Sequence, residues 1–129
     1  MRQAMRGVLG LVGLFNMLIG FVFLLSPVKL GVQFALSPIG TQGLATIRAD
    51  FPAFFLTGGL FALAGAWRAD PKPLLVPLML LGTALTGRFV SIALDGVVAT
   101  TYPPMLAEAA MIAAILLARR SFTPAPVLA

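Results

Sequence analysis

Apolar residues fall into four long runs along the chain, and the breaks between them are short and carry the prolines, glycines and charges. The first run covers about residues 7–25, enough helix to cross a bilayer core of roughly 30 Å. Residues 26–43 are more polar and broken by Pro27 and Pro38; they predict a loop with a short interfacial helix near Leu30 to Leu36. The second run covers about 44–67, and whether its helix begins before Arg48 or near Phe51 stays open, because Pro52 fits a first turn. Arg68 to Pro73 is a tight polar hairpin. Further runs at about 74–94 and 104–118 complete the set, and 121–129, with Pro124 and Pro126, predicts a loose tail. The fourth run is short for a span, which predicts a thinned or wet region beside it. The pattern predicts an all-α membrane protein, one four-span antiparallel bundle over residues 1–129.

Composition agrees. The chain is 60% hydrophobic and 10% charged, against about 25% charged in soluble domains. Arg2 and Arg6 precede the first run as they would in a secretory signal, but that run is long and no small-x-small cleavage site follows directly, so a retained helix is expected. The net charge of +5 does not point to nucleic acid, since the basic residues flank apolar runs and form no stripe interleaved with aromatics. They report topology instead. Arg2, Arg6, Arg68, Lys72, Arg119 and Arg120 fall on one side and Lys29 on the other, which predicts that both termini are cytoplasmic.

With no cysteine or histidine, disulfides, thiolate nucleophiles, the usual general base and the common zinc and haem ligands are all excluded. No metal, cofactor or catalytic residue is expected.

Arg48, Asp50, Arg88, Asp95 and Glu108 lie within or beside the apolar runs. The expected topology brings all five to the outer side of the membrane, although 60 residues separate the first from the last. Charges in hydrocarbon cost a few kcal/mol each, so they pair, line a cavity or do chemistry. Arg88, Ser91 and Asp95 share one helix face, with Arg88 and Asp95 about 10 Å apart along the axis. Arg48 and Asp50 are two residues apart and cannot face one neighbour, so at least one seeks a partner elsewhere; Asp50 with Arg88, or Arg48 with Glu108, are the candidate pairs. Asn16 is the lone amide at mid-depth in the first span and suits an interhelical hydrogen bond. Gly7, Gly10, Gly13 and Gly20, Gly58, Gly59 and Gly65, and Gly82 and Gly87 mark faces for close helix packing.

Two stretches carry a resemblance. Ile47-Arg48-Ala49-Asp50-Phe51 leading to Gly58-Gly59-Leu60-Phe61, and Gly87-Arg88-Phe89 leading to Asp95-Gly96, resemble the signature of the bacterial membrane family called domain of unknown function 4345. The resemblance implies an arginine opening the second helix and a Gly-Arg pair in the third. It implies no activity. This chain has Pro52-Ala53 where that family often has glycines. The first span lacks the glutamate of small multidrug exporters, and the second lacks the asparagine of fluoride channels. The paired-aspartate and histidine motifs of lipid-modifying membrane enzymes are also missing.

The functional expectation is a non-enzymatic membrane subunit or accessory protein held together by a buried ion network. The alternative is a binding or transport module for an ion, a small anion or a lipid. It would work through an outer-side polar cavity, with Glu108 or Asp95 titrating and Arg88 or Arg48 anchoring an anion. The expected partner is the lipid bilayer, with a second copy or a larger membrane complex open.

Overall fold

A computed structural model describes residues 1–124. It contains α1 (Arg2–Leu25), α2 (Pro27–Gln33), α3 (Gly40–Arg68), α4 (Leu75–Asp95) and α5 (Tyr102–Phe122), with one 3-10 turn at Ala99–Thr101 and no strand among the described residues. Four of the helices are long and apolar enough to cross a membrane. With that composition and helix set, the chain is a multi-pass membrane protein in build.

Each long helix extends past its apolar run. α3 begins at Gly40, well before Arg48, so Pro52 is buried inside the helix rather than in its first turn. There it removes the N–H that would bond the Arg48 carbonyl. α5 is 21 residues long, so the thinned region expected around a short fourth span loses its basis. Ser121 and Phe122 belong to that helix and Phe122 is buried. The expected tail therefore starts later, and its last part, 125–129, lies outside the described residues. α2 falls in the stretch where a short helix was expected but starts three residues earlier, at Pro27, where a missing N–H costs nothing.

The α1–α3 seam is built on glycine. A Cβ on Gly59 would meet the Gly13 carbonyl oxygen at 2.8 Å and the Met17 nitrogen at 2.9 Å. On Gly20 it would strike the Leu56 side chain at 2.6 Å. Without a hydrophobic force between helices in lipid, such backbone approach supplies the packing energy. α4 differs: Gly82 and Gly87 have nothing within 4 Å of a Cβ position, and the same holds for Gly7 and Gly10 of α1. These four glycines do not mark tight faces within the chain.

A buried cluster of Leu9, Ala66, Leu74, Leu81, Ile115, Ala118 and Phe122 fills the end of the molecule nearest the α3–α4 hairpin. α3 stops there at Ala69, which adopts a left-handed conformation (φ 49°) while the Asp70 N–H bonds the Gly65 carbonyl at 3.1 Å.

Candidate functional site

Away from the hairpin the bundle opens into a cavity of about 440 Å³, within the roughly 300–1,000 Å³ of small-molecule sites. Its walls are mostly apolar. Phe15 and Ile19 come from α1, Phe51, Phe54 and Phe55 from α3, Leu81 and Ala84 from α4, and Ala107 and Met111 from α5. Phe34, at the end of α2, completes an aromatic group around the fully buried Phe23: the rings of Phe23 and Phe51 are 4.8 Å apart and those of Phe34 and Phe55 are 5.8 Å apart. The short α2 thus delivers a ring to the cavity wall. The cavity was expected to be polar and is not.

Among the described residues three charged side chains line it: Asp50, Arg88 and Glu108. The Arg88 Nε donates to both Glu108 oxygens, at 3.0 and 2.9 Å, the one ion pair among the described residues. Both candidate pairings read from the sequence are therefore corrected. α4 and α5 follow each other through a short turn, so Arg88, seven residues before the end of α4, and Glu108, six residues after the start of α5, lie at one level. Glu108 is buried with its side chain 11% exposed, whereas that of Arg88 is 35% exposed. A guanidinium carries five N–H donors. Glu108 uses only Nε, and Nη1 and Nη2 make no hydrogen bond among the described residues.

The other charges do not join this pair. Asp50 is exposed at the cavity wall and makes no ion pair among the described residues. Arg48, two residues earlier on the helix, is exposed and outside the cavity lining. Asp95 is exposed at the end of α4, where it accepts the Ser91 hydroxyl at 2.8 Å, as their shared face implied. The five charges therefore form one pair, one local hydrogen bond and two exposed side chains, not a network. Asn16 is buried and donates to the Val12 carbonyl of its own helix at 2.8 Å and to the Met111 sulfur on α5 at 3.4 Å.

At the opposite end, the arginines read as topology signals also make specific bonds. Arg6 donates through Nε to the Ala66 carbonyl (2.9 Å) and through Nη2 to that of Trp67 (3.0 Å), Arg2 reaches Ala69 (3.3 Å), and Arg119 reaches Pro71 (2.6 Å). Cations there satisfy the last carbonyls of α3 and its negative dipole end. No cluster of side chains suited to a metal ion occurs among the described residues.

Sequence reasoning missed the phenylalanine wall, although the signal was present: Phe51, Phe54 and Phe55 are spaced three and four apart and share one helix face. Comparison with models of known families, with characterised proteins and with solved structures finds no match.

Proposed function

We propose that this chain is a non-enzymatic, membrane-embedded binding module that holds the apolar body of one amphiphile in the cavity between α1, α3, α4 and α5. The observation that carries the reading is an apolar cavity of about 440 Å³ with a single half-buried ion pair on its wall. Sites of this make-up bury a ligand's apolar surface and use a few polar groups to orient it. The accessory-subunit reading relied on five charges locked together, and a single pair gives it little support.

The topology belongs to the same proposal: an antiparallel four-helix bundle in a bacterial inner membrane with both termini cytoplasmic. Its support is the gathering of Arg2, Arg6 and Arg119 at the α3–α4 hairpin together with the lysine and arginine bias of the loops. Contacts of Arg6 with Ala66, Gly13 with Gly59 and Gly20 with Leu56 suit antiparallel α1 and α3. Membership of the family called domain of unknown function 4345 is likewise proposed, on the Arg48 and Gly87-Arg88 motifs.

Native mass spectrometry of the protein extracted with its own lipids tests the binding role. The wild type is expected to retain a stoichiometric lipid-sized mass. Ala84→Trp, which fills the cavity, is expected to lose it, and Ala113→Trp, outside the cavity lining, to keep it. Equal retention by all three proteins would refute the role.

A further inference from the structure

The same cavity wall carries two groups of opposite charge whose hydrogen-bonding capacity is not taken up by the protein among the described residues. Arg88 spends one nitrogen on Glu108 and keeps the Nη1 and Nη2 edge unbonded among the described residues. That edge is a planar fork, the geometry that takes a phosphate through two parallel hydrogen bonds. Asp50 lines the same cavity with a carboxylate that has no cationic partner among the described residues. A carboxylate at the rim of an apolar space attracts a cation and repels an anion. Arg48 lies outside the lining and forms no ion pair with Asp50 among the described residues.

Resting on the binding role above, we infer that the occupant is a phospholipid whose headgroup carries both a phosphate and a primary ammonium. The phosphate sits on the Nη edge of Arg88, the ammonium on Asp50, and an acyl chain lies along Phe51, Phe54 and Phe55. Charge complementarity selects this class over its neighbours. A purely anionic headgroup meets Arg88 but is repelled by Asp50. A simple long-chain amine meets Asp50 but leaves the Arg88 fork empty. A quaternary ammonium carries the charge yet has no N–H to donate to the carboxylate. Glu108 fixes the guanidinium through Nε, so the fork is oriented before a ligand arrives.

The test is competitive titration of the delipidated full chain in detergent, read by native mass spectrometry, with phosphatidylethanolamine, phosphatidylcholine, phosphatidylglycerol and dodecylamine as probes. Phosphatidylethanolamine is expected to bind at least about tenfold more tightly than phosphatidylglycerol or dodecylamine, the scale of one charge-assisted hydrogen bond, with phosphatidylcholine between. Asp50→Asn is expected to erase the preference over phosphatidylglycerol, and Asp50→Lys to reverse it. Because Asp50 is exposed and unpaired, neither change should disturb folding; unchanged helicity by circular dichroism checks this. Arg88→Lys, which keeps the charge but not the fork, is expected to reduce binding of both phospholipids while sparing dodecylamine. Equal binding of the two phospholipids by wild type, with no change in Asp50→Asn, would overturn the headgroup assignment and leave the cavity as a lipid site. Retention of every probe by Ala84→Trp would overturn the cavity role itself.

Discussion

The α1–α3 seam and the α4–α5 seam solve the same problem by different means. Along α1–α3, glycines bring backbones into contact and Arg6 ties the start of α1 to the end of α3. Along α4–α5, the glycines of α4 touch nothing, and an ion pair bridges the helices instead. Burial follows the contrast. About 28% and 33% of the apolar windows of α1 and α3 are buried, against 11% and 17% for α4 and for the α5 region. A seam closed by backbone contact has no room to adjust. One packed through side chains near the hairpin and joined beyond them by an ion pair can keep a cavity beside it, and that is where the candidate site lies.

Substitution at Gly59 should have the largest effect. Its Cβ position faces backbone atoms of α1, which cannot yield as a flexible side chain can. Gly59→Val is expected to destabilise the protein by about 3 kcal/mol, the upper part of the range for overpacking, whereas Gly82→Val, facing open space, should stay within about 0.5 kcal/mol of wild type. Thermal unfolding in one detergent measures both, and comparable losses would erase the distinction between the seams.

Next comes the bridge. Arg88→Gln or Glu108→Gln alone should cost about 1–2 kcal/mol, below the ~3–5 kcal/mol of a fully buried pair because the arginine is partly exposed. The double variant should lose less than the sum of the two. Strict additivity in a double-mutant cycle would mean that the bridge does not hold the α4–α5 seam.

The smallest effect is expected at Arg6. Arg6→Gln removes two charge-assisted bonds to carbonyls near the end of α3 and should cost about 1 kcal/mol. The loss should shrink little with salt if the hydrogen bonds dominate, and strongly if the arginine acts only as an exposed charge; unfolding at low and high ionic strength separates the two.

The four apolar helices were legible because hydropathy over a twenty-residue window is a strong signal. Their ends were less so, since polar residues such as Arg48 and Asp50 continue a helix past the apolar core, and Pro52 can sit within one. Gly13, Gly20 and Gly59 were read correctly as packing positions, while Gly82 and Gly87 were not, because the same residue type marks either a close approach or an unfilled face. That Asp50, Arg88 and Glu108 would come near one another followed from helix order; that Arg48 and Asp95 would stay outside the cavity lining, and which charges pair, did not. Pairing depends on helix rotation and on rotamers, so Arg88 meets Glu108 while Asp50 and Arg48 stay apart. The cavity itself arises from what four helices leave unfilled, and no single stretch of sequence encodes that.

Hydrogen exchange of the delipidated protein with and without added phosphatidylethanolamine tests the central claim most directly. The account predicts slower exchange on lipid addition in peptides covering 48–56, 81–95 and 102–111, with the hairpin-end contacts around Arg6 and Ala66 unchanged. Protection spread evenly along the whole length of the four long helices, or confined to the hairpin end, would contradict it.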